Sequence, residues 1–168
     1  MINVRKNIFE TNSSSTHAMI IAADPPAEAP AHVHFGLGDF GWRFEKLQDE
    51  EKAAYLYTSA VLIYGEAYAR EHLTAALATK GITCSFSRVK YSKGYSWPDN
   101  GSIDHCGNDE HQDFVDTMLS NPDKLMSFLF NDNSYVVTGN DNDTEEERDW
   151  FNGLANPKYE HERFDKWN

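Results

Sequence analysis

The sequence is poor in the features that would tie it to several common roles. It has two cysteines, Cys84 and Cys106. That is too few for a disulfide framework, so the small cross-linked secreted scaffolds are excluded. Lysine and arginine total 15 against 27 acidic residues, a formal charge of −12. A protein that neutralises a nucleic-acid backbone needs clustered basic residues. Here the basic residues are scattered apart from the weak group Arg88, Lys90 and Lys93, so direct nucleic-acid binding is not expected. No run approaches the roughly eighteen apolar residues of a membrane-spanning helix. The stretch from Ala53 to Tyr64 is apolar but too short, and it carries hydroxyls. The opening MINVRKNIFE has no apolar segment of the kind that directs secretion. Together these absences make the cytoplasm the expected compartment, with no membrane contact.

What is present fits a folded chain. The 168 residues suit a single domain, long enough to bury roughly 70% of its unfolded surface. The hydrophobic fraction, 40%, is slightly low, but 13% aromatic residues supply large buried areas. A disordered chain would lack them. The acidic balance favours solubility and attraction to basic partners, nucleic-acid mimicry being one version of that.

The order of patterns predicts mixed secondary structure. Extended segments are expected at Ile2–Ile8, Ala18–Ala22 and His32–Phe35, with the proline-rich surface loop Asp24–Pro30 between the last two. Asp49–Tyr64 opens with three acids, as suits the positive end of a helix dipole, and its apolar positions cover more than one face. That predicts a central helix. Gly65 breaks it, and a second helix, Glu66–Lys80, ends at Gly81. Ile82–Val89 alternates as a strand, and Lys90–Glu110 reads as a loop too long to be a mere connector. Helices at His111–Ser120 and Pro122–Phe130, a strand at Ser134–Thr138 and a short acidic helix from Thr144 through Phe151 follow. Thr144 with Glu147 has the spacing of a capping box. The charged tail from Pro157 is expected to fray. The whole predicts one α+β domain: a mixed, mainly antiparallel sheet with the two central helices packed on one face.

Candidate chemistry concentrates in three polar segments. Glu10-Thr11-Asn12-Ser13-Ser14-Ser15-Thr16-His17 holds five hydroxyl residues, an amide, a carboxylate and an imidazole in eight positions. Hydroxyls and backbone amides after a strand can cradle phosphate, and His17 can serve as general acid or base. The alternative is a loop whose hydroxyls satisfy local backbone groups. Ile103-Asp104-His105-Cys106-Gly107-Asn108-Asp109-Glu110-His111 gathers donors that a transition metal could use, though without a strong ligand spacing. Gly139-Asn140-Asp141-Asn142-Asp143 resembles half a calcium loop but lacks its central glycine and terminal glutamate. Gly36-Leu37-Gly38-Asp39-Phe40-Gly41 has the spacing of a dinucleotide fingerprint. Trp42-Arg43-Phe44 follows where a helix should start, so a turn of packed aromatics is the better reading.

Taken together these segments resemble a family of bacteriophage and bacterial proteins to which no activity is attached. The likeness rests on Arg5 with Phe9-Glu10-Thr11-Asn12-Ser13-Ser14-Ser15-Thr16-His17, on Gly38-Asp39-Phe40-Gly41-Trp42, and on the helix at Glu51-Lys52-Ala53-Ala54-Tyr55-Leu56. Ile103-Asp104-His105 and Asn140-Asp141-Asn142 complete it, so it spans roughly residues 5 to 142. Cys106-Gly107 departs from the pattern, which removes Cys106 from the expected site. The resemblance implies a phage-type context, hence the host cytoplasm, where small acidic proteins act on host machinery.

The expectation for the site is one polar pocket. His17, His105 and Asp104 would be its catalytic groups, Asn12, Ser13, Ser14 and Asp141 its ligand contacts, and Arg5 and Glu10 orienting partners. Its ligand would be a phosphorylated or nucleotide-like small molecule, bound and hydrolysed or only bound. The rival is a non-catalytic inhibitor or nucleic-acid mimic that meets a basic host protein through its acidic surface. No cofactor is required in either case, although His17, Asp104, His105 and Asp141 could hold a divalent metal.

Overall fold

The computed structural model describes residues 15–94, 98–104, 109–140, 142 and 144–166. Strands β1 (Ser15–Ala22), β2 (His32–Phe35), β3 (Asp39–Phe40) and β4 (Glu45–Leu47) lead into helices α1 (Asp49–Tyr64) and α2 (Glu66–Ala78). Strands β5 (Thr83–Phe86) and β6 (Ser102–Ile103) precede α3 (Asp109–Ser120) and α4 (Pro122–Phe130), and then come β7 (Tyr135–Asn140), α5 (Glu145–Ala155) and β8 (His161–Lys166).

Four strands form one antiparallel sheet in the order β4-β7-β1-β8. Two parallel pairs, β2 with β5 and β3 with β6, lie apart from it. The architecture is thus α+β, with a mainly antiparallel sheet. Side chains of successive strand residues point to opposite faces, and β1 is buried on both. Met19 and Ile21 join the large core made with α1, α3 and α4, while Ala18 and Ile20 pack with Tyr135, Val137, Phe151 and Ala155 under α5. Burial on both sides is why this strand reads as an unbroken apolar run.

Of the two central helices, α1 touches the sheet at β7, and α2 packs behind it on α1, α3 and β5. Residues 55–61 of α1 are all buried, which fits its apolar character on every face. Gly65 ends α1 and begins α2 with φ of 86°, a left-handed value that glycine adopts without a Cβ penalty.

Several boundaries differ from the sequence reading. Ser15, Thr16 and His17 belong to β1 rather than to a polar loop, and Asn140 closes β7. The expected long loop carries β6 and an isolated bridge between Tyr91 and Pro98, so part of it is held by backbone pairing. Helix α5 runs on to Ala155, behind the Thr144–Glu147 capping box. The tail expected to fray contains β8, paired with β1 along His17–Ala22. The first expected strand, at Ile2–Ile8, lies outside the described residues.

Candidate functional site

The ends of β1 and β7 meet three polar parts of the chain at one corner. Ser15 opens β1 opposite Asn140, the last residue of β7. The Ser15 hydroxyl donates to the backbone carbonyl of Asp104 at 3.2 Å. Asp104 itself follows β6, and its N–H donates to the Phe40 carbonyl at 3.0 Å. From Phe40 the turn Gly41-Trp42-Arg43 runs across the same corner. The Trp42 carbonyl accepts from the Asn140 side-chain amide at 2.8 Å, and the Arg43 carbonyl accepts from the Thr138 hydroxyl at 2.6 Å. A methyl group built on Gly41 would sit 3.5 Å from Asp104 Cβ, so turn and carboxylate are neighbours. Trp42 is 45% exposed and the Arg43 side chain 87%, which leaves an indole and a guanidinium at the rim.

Beneath the rim runs a buried thread of polar groups. His17 faces α1, and its Nδ1 lies 2.8 Å from the Tyr55 hydroxyl while Nε2 lies 3.3 Å from the Gly41 carbonyl. A carbonyl only accepts, so Nε2 carries the hydrogen; in the neutral ring Nδ1 then accepts from Tyr55. One turn further along α1, the Ser59 hydroxyl donates to the Tyr55 backbone carbonyl at 2.7 Å. Its oxygen is left to accept from His111 Nε2, 3.1 Å away. Tyr55 also packs against His111 and Phe40, with ring centroids 5.9 and 5.2 Å apart. The thread ties β1, the Gly41 turn, α1 and α3 together where hydrogen bonds are shielded from water.

Of the expected site residues, His17 and Asp104 are described, and both belong to this corner. His17 is fully buried, two residues inward of Ser15 on β1, with both ring nitrogens engaged. Asp104 is half-buried beneath the Gly41 turn. Asn12, Ser13, Ser14, His105 and Asp141 lie outside the described residues, as do Arg5, Glu10 and Cys106. Ser15, Asp104 and Asn140, which directly adjoin Ser14, His105 and Asp141 in sequence, are the residues that meet. Among the described residues no cluster of three or more histidine, cysteine or acidic side chains has the makings of a metal centre. Cys84 stands in β5 with its sulfur 3.4 Å from the Thr74 hydroxyl, remote in role from this corner.

The sequence reading missed Tyr55 and Ser59 as members of the arrangement, and took His111 only as one of a run of possible metal donors. A signal was available, since a helix apolar on all faces must pair its hydroxyls internally, and α1 carries Tyr55, Thr58 and Ser59 on buried positions. Comparison with protein-family models, with curated proteins and with solved structures finds no match to this chain. The functional reading therefore stands on the corner's own geometry.

Proposed function

We propose that this corner binds a phosphorylated or nucleotide-like small molecule. The observation that carries the reading is the meeting of Ser15, Asp104 and Asn140 under the Gly41-Trp42-Arg43 turn. Each of the three belongs to one of the polar segments that the sequence marks as chemically equipped. Hydroxyls and backbone amides suit phosphate oxygens. Trp42 offers a face on which a base can stack, and Arg43 offers a fork for phosphate. Arg43 pairs with Glu45 at 3.9 Å, an exposed pairing weak enough to be exchanged for a ligand.

His17 acts here as a positioning residue. It holds the Gly41 carbonyl on one side and Tyr55 on the other, and so fixes the turn that presents Trp42 and Arg43. Acid–base chemistry on a bound ligand would fall to Asp104 with His105.

Calorimetric titration with nucleoside mono-, di- and triphosphates and with inorganic phosphate tests the reading. At least one should bind, and Arg43→Ala and Trp42→Ala should each weaken it about tenfold, some 1.4 kcal/mol, with the melting temperature unchanged. Absence of binding across the panel, or binding indifferent to both substitutions, overturns it.

One feature favours the rival reading, a non-catalytic protein that binds a basic host partner. Glu145, Glu146 and Glu147 are all exposed on the first turn of α5, and Trp150 on the same helix is 40% exposed. Reversing the three charges should abolish partner binding under that reading and leave nucleotide binding intact under the first.

A further inference from the structure

Lys52 lies one turn into α1 and is only 2% exposed. Its Nζ donates to the Asn131 carbonyl at 2.9 Å, at the C-terminal end of α4. A cation there is favoured by the helix dipole, which explains why the side chain reaches across. An ammonium has three N–H donors, and Asn131 is its one hydrogen-bond partner among the described residues. Buried polar side chains as a rule have at least one partner, and Lys52 meets that rule through Asn131. An ammonium bonded once still has two N–H groups to offer an acceptor that enters beside it.

The same residue lines a cleft of about 480 Å³ bounded by β2, the start of α1 and the end of α4. That is within the size range of small-molecule sites. Val33, Leu129 and Phe130 give it apolar walls. Four exposed carboxylates, Glu28, Asp49, Glu50 and Asp132, stand around it. Burial lowers the Lys52 pKa to about 8, against the opposing pull of Asp49 and Asp132. The cleft thus combines an inner donor, an apolar wall and an acidic surround, and each constrains what fits. The carboxylates select a cation. The lysine selects an oxygen acceptor, and a neutral one, because a carboxylate would be repelled by Asp49 and Asp132.

We propose that this cleft binds an α-ammonium amide, the chemistry of an apolar amino-acid amide or of a peptide's free N-terminus. The ammonium group lies among the rim carboxylates, the adjoining carbonyl accepts from Lys52 Nζ, and the apolar side chain rests on Leu129 and Phe130. Calorimetry on the full chain tests this with four probes: leucinamide, N-acetyl-leucinamide, leucine and the peptide Leu-Gly-Gly. Leucinamide should bind, and acetylation, which removes the charge, should weaken binding about tenfold or more. Free leucine should be weakened similarly by its carboxylate. Tighter binding of the peptide identifies a peptide end as the natural ligand, whereas a preference for leucinamide identifies a free amide. Lys52→Met, which keeps the buried stem, should cost about tenfold, and the exposed substitution Asp132→Asn should weaken binding without touching the core. Should Lys52→Met fail to fold, Asp132→Asn with Glu50→Gln carries the test. Failure of leucinamide to bind, equal binding of the acetylated probe, or affinity unmoved by the carboxylate substitutions overturns the proposal.

Discussion

At His17 the two hydrogen bonds differ in kind. The Gly41 carbonyl requires a donor, whereas the Tyr55 hydroxyl can give or take, so a neutral ring is satisfied without any rearrangement. Replacing it with phenylalanine would keep the packing, take from the half-buried Gly41 carbonyl its donor, and leave the Tyr55 hydroxyl the weaker contact to Met19 Sδ at 3.6 Å. His17→Phe should therefore cost about 1–3 kcal/mol of stability, read as a lowered melting temperature. Lys52 makes a prediction of opposite flavour. Its folded pKa, about 8, lies below the ordinary 10.5, so between those values the unfolded chain holds the extra proton. Stability should rise with pH from about 8 toward 10, by on the order of 2 kcal/mol. Denaturant melts of the native chain and of Lys52→Met, which should lack that slope, check it. The sequence singled out His17 by its hydroxyl-rich neighbourhood. It gave no hint of Lys52, because a lysine in a helix reads as a solvated surface residue, and only the crossing of α4 encloses it.

Elements set how these residues are held. β7 runs between β1 and β4, and its Gly139 admits the rings of Phe44 and Phe151: an added Cβ would lie 3.0 and 3.1 Å from them. Gly139→Ala forces both rings aside and should destabilise by about 1–3 kcal/mol. Because Phe44 adjoins the Gly41-Trp42-Arg43 turn, the same substitution should weaken ligand binding at the corner, measurable by titration. At α5 the Glu147 carboxylate accepts from the Thr144 N–H and hydroxyl, and those bonds hold its pKa below the ordinary value. The cap's contribution is present above the unfolded carboxylate pKa and is lost as pH falls through the lower folded one. Nuclear magnetic resonance should show Glu147 titrating below the ordinary glutamate value, and Thr144→Ala, which removes the hydroxyl bond and keeps the backbone one, should raise it part of the way back. The capping box, Pro122 at a first helical turn and the Gly65 break were all legible, since each is a local pattern with a local cause. The start of β1 was not. Ser15, Thr16 and His17 are polar residues that become strand because Asn140, Gly139 and Thr138 pair with them, and no local pattern announces a partner more than a hundred residues away.

On the scale of the whole molecule, the chain returns at its end to cover β1. The six residues of β8, His161-Glu162-Arg163-Phe164-Asp165-Lys166, carry one apolar side chain, and charged residues are how edge strands are protected. That composition made the tail look disposable. Yet Phe164 packs on Phe114 of α3 at 5.8 Å between ring centroids, and its backbone completes the sheet beside Met19. Removal of residues 160–168 should therefore abolish cooperative thermal unfolding. The α+β class was readable from the order of strand-like and helix-like patterns, whereas the placing of α5 on the far face was not, because which face of a doubly buried strand a helix covers is decided by packing. The proposed ligand site is the corner of Ser15, Asp104 and Asn140. Its most direct test is nuclear magnetic resonance of isotope-labelled protein titrated with nucleoside phosphates. The amide signals of Ser15, Gly41, Trp42, Asp104 and Asn140 should move together, with those of Ala53 and Phe130 beside Lys52 still. Signals that stay fixed at the corner, or that move only along α5, would contradict it.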